Sequence, residues 1–151
     1  MNDLDARIVA LLKRNARMSV TQMSLELGVS RVTIDAHIKK MEASGVITGY
    51  SARLDPEAVG HGLCVLVHLS LRRHTLDSTA EIEREVSSYP EVLQCFAVTG
   101  NADYVLRVVV PDMASYDRFL NEKIFTLKAI AQVNSNFALR EIKNSHTLPL
   151  A

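Results

Sequence analysis

The sequence predicts an α+β protein, a three-helix head followed by a body in the order βαββαβ. Two periods and one break carry that reading. Apolar side chains recur at helical spacing through the first 41 residues, and from Leu63 onward stretches of strict alternation appear. Between them, Asp55, Pro56 and Glu57 supply turn chemistry, and Gly60 and Gly62 flank His61. The chain of 151 residues therefore divides into a head over 1–54, a linker over 55–62 and a body over 63–151.

In the head, Leu4, Ile8, Leu11 and Leu12 give a first amphipathic helix. Ser19 and Gln22 then form an S-x-x-Q capping box that opens a short helix ending near Leu27. Gly28 supplies a left-handed turn that a β-carbon makes costly. Ser30 caps a third helix, in which Ile34, Ile38 and Met41 fall at i, i+4, i+7 and pack inward. Arg31, Thr33, Ala36, His37 and Lys40 are assigned to the opposite, outward face, with Lys39 beside them. Gly45 ends this helix, and residues 46–54 alternate weakly, as a β-wing or linker strand would.

The body opens with Leu63, Val65, Val67, Leu69 and Leu71, a strand with one buried face. Ile82, Val86 and Tyr89 lie on one face of a helix that Pro90 stops. Strands follow over 92–99 and 104–110, joined by the tight connection Gly100, Asn101, Ala102, Asp103. Pro111 ends the third strand, and Asp112 caps a helix carrying Met113, Tyr116, Leu120 and Ile124. Val133, Ser135, Phe137 and Leu139 alternate in a last strand. This order describes a ferredoxin-like sandwich with both helices on one sheet face. The second face is expected to be apolar as well, and its natural cover is a second copy of the chain.

Composition excludes several classes. No apolar run reaches the roughly 18 residues of a membrane span. Asp3 and Asp5 sit in the first helix, so the N-terminus is read as neither signal nor transit peptide. Cys64 and Cys95 lie in apolar strand-like runs and are read as buried, reduced thiols of a cytoplasmic protein. Cys64 and His68 share a strand face, but no second Cys/His pair has ligand spacing, so packing is preferred to metal. No nucleophile–base pair is readable, and no cofactor is expected.

Charge is uneven although the net charge is zero. Between residues 7 and 40 seven basic residues (Arg7, Lys13, Arg14, Arg17, Arg31, Lys39 and Lys40) face only Glu26 and Asp35. From residue 51 onward, ten basic residues face twelve acidic ones. A basic head on a slightly acidic body suits a phosphate-facing module. Helix, tight turn, helix also lays a second helix in the major groove of DNA, although any small helical hairpin carries the same punctuation.

The ordered fragments resemble the Lrp/AsnC (feast/famine) family of bacterial and archaeal transcription regulators over essentially the whole chain. The carriers in the head are Leu4, Asp5, Ile8, Leu11 and Leu12; Leu27, Gly28, Val29, Ser30, Thr33 and Ile34; and Met41, Glu42, Gly45, Val46, Ile47, Gly49 and Tyr50. Leu54, Asp55 and Pro56 follow, then Val98, Thr99, Gly100, Asp103 and Tyr104, and finally Val109, Val110, Pro111 and Asp112. The resemblance implies a winged helix-turn-helix head that binds double-stranded DNA and a ligand-sensing body, the RAM domain. It implies dimers that assemble further, commonly to octamers, and a small-molecule effector, an amino acid or a relative of one. The effector residues it implies are Thr99, Gly100, Asn101, Ala102, Asp103 and Tyr104, with Val133 and Ser135 from the last strand. Within that set Asp103 suits an α-ammonium group, and the free amides of the turn suit an α-carboxylate.

Three departures bear on these expectations. Asp35 and His37 stand where relatives often carry basic residues, and an acid near the groove repels phosphate. Val133 and Ser135 align with a Thr-x-Thr of many relatives, and Ala102 replaces a bulkier side chain. An altered pocket leaves open a ligand-independent DNA-organising protein. Fold analogy keeps a haem-biosynthesis decarboxylase as an enzymatic alternative, against which the basic head counts; a pure oligomerisation module would not need the polar helix.

Overall fold

The computed structural model describes residues 2–145 together with 148 and 149. The chain parts into two compact units, one made of the residues up to Arg53 and those from Lys143 on, the other of Leu54–Ile142. Residues 146, 147, 150 and 151 of the expected body lie outside the described residues.

The first unit holds α1 (Asp3–Arg14), α2 (Val20–Leu27) and α3 (Arg31–Ala43). Each start is built by a side chain that satisfies an orphan amide. Asn2 and Asp5 form a reciprocal capping box on α1, Ser19 and Gln22 another on α2, and Ser30 accepts from the Thr33 amide on α3. Gly28 stands at φ +68°, left-handed, between α2 and α3. Ile8, Leu11, Met23, Ile34 and Met41 form the buried core, with Ile38 and Ile47 packed at its edge.

Two features of this unit differ from expectation. No strand forms over 46–54; instead the Val46 and Ile47 amides donate to the Met41 carbonyl at 2.9 and 3.1 Å. Those amides close the last turn of α3 and are spent before a wing ladder could use them. Asn144 and Leu148, expected in the body, also bond to the head. Lys13 Nζ donates to the Leu148 carbonyl, and Arg53 donates to that of Asn144 at 3.3 Å.

The second unit runs β1 (Leu63–Leu71), α4 (Leu76–Ser88), β2 (Val92–Ala97), β3 (Tyr104–Val110), α5 (Met113–Phe119), a π-helical turn (Leu120–Ile124) and β4 (Ile130–Phe137). The antiparallel sheet has the order β2-β3-β1-β4, with both central strands hydrophobic on the helix side. Val65, Val67, Leu69, Leu106 and Val108 pack there against Ile82, Val86, Tyr116, Phe119 and Ile124. The second strand stops at Ala97, short of Thr99, and the last stops at Phe137, leaving Leu139 fully in solvent. After α5 the Phe125 amide reaches back to the Leu120 carbonyl at 2.8 Å, a wider turn than the single α-helix expected.

The other sheet face departs further from its expected character. Cross-strand partners share a face, so the register lays out rows. One row runs Gln94, Arg107, Leu66, Asn136, and the next Phe96, Val105, His68, Asn134. The β2–β3 half sets Phe96 and Val105 beside Gln94 and Arg107, and the β4 half carries carboxamides. The cysteines are free but not deeply buried: Cys64 is half-buried on β1, and Cys95 is exposed because β2 is an edge strand.

Tyr104 ties the sheet to α4. It is buried, and its hydroxyl donates to Glu83 Oε1 at 2.8 Å. Burial, reinforced by that carboxylate, pushes the phenol up to about 12 from an ordinary 10.0. A raised phenol stabilises the fold fully below the unfolded value and loses that contribution as pH rises through the folded one. Urea unfolding should therefore show stability falling between about pH 10 and 12. Tyr104→Phe should lack that component and cost about 1–2 kcal/mol at neutral pH, the loss of a hydrogen bond to a charged acceptor. An unchanged profile in the variant would refute the assignment.

Candidate nucleic-acid interface and small-molecule cleft

The core stripe of α3 fixes which side chains turn outward. With Ile34 and Met41 fully buried, the face opposite is centred on Val32 and Ala36, flanked by Lys39 and Lys40. Ala36, Arg31, Lys39 and Lys40 are exposed, as expected of that face. Thr33 is half-buried and shares a hydrogen bond with the Ser30 hydroxyl at 2.8 Å, so it belongs to the cap. Val32, 81% exposed, is absent from the outward residues read from the sequence. The helical period, applied strictly, places it outward beside Ala36. An apolar side chain on a groove-facing helix suits a thymine methyl group.

The basic charge is less available than the count implies. Arg14 pairs with Glu26 at 2.6 Å, Lys39 with Asp35 at 2.7 Å, and Arg7 donates to the Leu27 carbonyl at 3.4 Å. Arg31 and Lys40 form no side-chain hydrogen bond or ion pair among the described residues. They are the head's open cations on α3.

His37 does not share the outward face. Its Nδ1 lies 2.6 Å from Asp5 Oδ1, across the α1–α3 contact. Asp5 is 6% exposed, the one buried charged residue among those described, and its other oxygen accepts from the Asn2 amide at 3.1 Å. The His37 hydrogen bond, aided by that amide, holds the Asp5 carboxyl below the usual carboxylate range. The sequence holds a signal for this pair only in hindsight: position 37 lies toward the stripe on the helical wheel, and α1 has a lone acid on its buried side.

In the second unit, residues 98–103 close the end of the sheet. Gly100 has φ +110°, a conformation a β-carbon disfavours. The Asp103 amide donates to the Leu69 carbonyl at 2.8 Å, and the Ser70 hydroxyl to that of Asn101 at 3.2 Å. The amides of Thr99, Gly100, Asn101 and Ala102 donate to nothing among the described residues. Asp103 is already engaged. Leu71 lies beyond the last β1–β3 pair, Leu69 with Tyr104, and its amide donates to Asp103 Oδ2 at 2.7 Å. His74 Nε2 is 3.6 Å from the other oxygen.

A cleft of about 700 Å³ opens on the face without helices. Thr99, Asn101 and Ala102 line one end, and His68, Ser70, Gln132, Asn134 and Asn136 the floor and wall. Gly100 and Asp103, also expected at the effector site, do not line it. Tyr104, Val133 and Ser135 are not part of it either. They lie on the helix side of the sheet, where Tyr104 meets Glu83 and the Ser135 hydroxyl bonds that of Tyr116. Period two separates Val133 and Ser135 from their cleft-lining neighbours Gln132, Asn134 and Asn136.

A helix-turn-helix head joined to a ferredoxin-like body defines the class of DNA-binding transcription regulators. Residues 64–148 match the family described as Lrp/AsnC ligand binding domain, and residues 1–48 match winged helix-turn-helix DNA-binding. The chain belongs to the Lrp/AsnC family. It is 33% identical to the Bkd operon transcriptional regulator of Pseudomonas aeruginosa over 150 residues, 99% of this chain and 98% of that protein. An AsnC family regulator from Agrobacterium tumefaciens superposes with a TM-score of 0.92 at 35% identity, covering 99% of this chain and 97% of that one. A transcriptional regulator from Neisseria meningitidis, solved in complex with L-methionine, superposes with a TM-score of 0.91 at 30% identity, covering 99% and 96%. These relatives are named as regulators, and the decarboxylase alternative finds no support among them.

The engagement of Asp103 separates its charge from its role in the turn. Asp103→Ala strands the Leu71 amide and should cost about 1–3 kcal/mol in urea unfolding. Asp103→Asn keeps an oxygen acceptor and should cost less than about 1 kcal/mol. Equal stability of the alanine variant and the wild type would contradict the reading of this bond.

Proposed function

We propose that the chain regulates transcription from double-stranded DNA, with α3 in the major groove and a small-molecule effector, an amino acid or a relative of one, bound by its body. The observation that carries the first half is the outward face of α3: Arg31 and Lys40 stand open at its two ends, with small or apolar Val32 and Ala36 between them. Ser30 starts the helix, so its first amides complement a phosphate, while Arg31 suits a guanine edge and Lys40 the backbone. Asp35 holds Lys39 back at rest, and Lys39 is a phosphate contact that DNA must first release.

The effector reading rests on the cleft and on the relative solved with L-methionine. In this proposal the unspent amides of Thr99 to Ala102 receive the α-carboxylate. Asp103 supplies negative charge for the α-ammonium without releasing Leu71. Ser70, His68 and the β4 carboxamides contact the side chain. Val133, Ser135 and Tyr104 act behind the sheet by fixing its position.

Assembly follows from the same face. Leu66, Phe96 and Val98 are exposed there, and a second copy packed face to face would cover them. The proposed unit is a homodimer with two heads, spaced to meet successive turns of about 34 Å on one side of the duplex. Further assembly, to an octamer as in the family at large, multiplies weak contacts by effective concentration. Effector and partner then share one surface, so ligand binding shifts the assembly equilibrium. A cytoplasmic site of action belongs to this proposal, supported by the likeness to a bacterial transcriptional regulator, whose DNA lies in the cytoplasm.

Gel shifts test the interface. Lys40→Ala should weaken all sequences alike and flatten the salt slope by about one. Arg31→Ala should cost ~1–3 kcal/mol, chiefly at preferred sites. Two unimpaired variants would remove α3 from the groove. Calorimetry across the amino acids, beginning with L-methionine, should find a ligand that Asp103→Asn no longer binds. Light scattering at about micromolar concentration should register at least a dimer, with its distribution moved by that ligand. A monomer indifferent to every amino acid would end both the effector and the assembly readings.

A further inference from the structure

We propose that the cleft on the helix-free sheet face selects an amino acid whose side chain ends in a neutral carboxamide. This rests on the cleft being the effector site, and it names the side chain that the site prefers.

The strand register fixes the lining. Gln132 lies opposite Ser70, Asn134 opposite His68 and Asn136 opposite Leu66, so three carboxamides from β4 form a column on one face. Across β1, Val105 lies opposite His68, and Val98 also lines the cleft. The turn over 98–103 meets this face at Ser70, whose hydroxyl donates to the Asn101 carbonyl at 3.2 Å. A ligand held by its α-carboxylate on the turn amides therefore sends its side chain down the column. It passes Ser70 and Gln132 and points to His68 and Asn134. Successive rows on one face are about 6.5–7 Å apart, a step suited to a stem of two methylenes and a terminal group. Val98 and Val105 meet the methylenes, and the carboxamides meet the end.

The chemistry of that column decides the end group. Among the described residues no Asp, Glu, Lys or Arg lines the cleft. Arg107, in the row of Leu66 and Asn136, donates to Glu141 at 2.8 Å. A charged side chain would thus give up water without gaining a counter-ion. A wholly apolar one would cover polar groups and answer none of them. The side chains of His68, Gln132, Asn134 and Asn136 form no hydrogen bond among the described residues, so their donors and acceptors are open. A carboxamide presents N–H donors beside a carbonyl acceptor, and a second carboxamide answers both.

Calorimetry with the full chain and L-glutamine, L-glutamate, L-methionine and L-leucine tests this. Glutamine, glutamate and methionine are similar in length and differ in the end group. L-Glutamine should bind about tenfold or more tightly than each of the others, the discrimination of a satisfied hydrogen bond. Asn134→Leu and Gln132→Met keep side-chain size and remove a carboxamide. Each should weaken L-glutamine by about tenfold and bring it level with L-methionine. Circular dichroism checks that the variants fold, and the wild-type preference decides alone if they do not. A wild type that favours another amino acid, or binds all four alike as a merely solvated strand would, overturns the proposal and leaves the effector reading standing. An undiminished preference for L-glutamine in both folded variants overturns it as well. If no amino acid binds at all, the effector reading fails and the selectivity with it.

Discussion

Two helices can cover only one face of a four-stranded sheet, and the consequences run through the whole body. On the covered side, α4 and α5 meet Val65, Val67, Leu69, Leu106 and Val108, which supply its dry core. Each such side chain, once buried, contributes about 1.5–3 kcal/mol, so this layer sets the register of all four strands. Whatever the strands place on alternate positions must then face the other way. The register leaves apolar Leu66, Phe96 and Val105, with Gln94 and Arg107 among them, on one half of that face and Asn134, Asn136 and Gln132 on the other. An apolar half favours association, and a polar half holds a cleft that a partner could roof without drying.

The head obeys a different constraint. It is too small to rely on its core alone, with five buried apolar residues among those described, and its three helices are defined largely by their ends. Asn2, Ser19 and Ser30 each satisfy an orphan amide, and Gly28 turns the chain where no other residue does so cheaply. Against this background Asp5 stands out because it is buried and charged. It is kept ionised by His37 and by its own capping role, so one carboxylate serves the start of α1 and the seat of α3 together. A buried carboxylate stripped of either partner is strongly destabilised.

The balance between these units explains why charge counting was only a partial guide. Seven basic residues between 7 and 40 pointed to DNA, yet several fasten the head to itself. Long cationic side chains find carboxylates and carbonyls wherever packing brings them within reach, and a count cannot separate those from the ones left open. Arg31 and Lys40 remain open because Asp35 is taken by Lys39 and Asp5 by His37.

Period and punctuation by themselves determined the element order, the α+β class, the caps at Ser19, Ser30 and Asp112, and the turn at Gly28. Each is a local property, set by spacing along a helix or strand or by a side chain bonding its own backbone within a few residues. Tertiary structure decided what lies across space. It turned His37 from the groove to Asp5, committed Asp103 to the Leu71 amide, and put Ser135 and Tyr104 behind the sheet rather than in the cleft. It also replaced the expected wing with amides folded back on Met41 and gave half of the open face to carboxamides. These outcomes depend on which elements become neighbours, and on where polar groups far apart in the chain find partners. Spacing along the chain holds no record of that pairing.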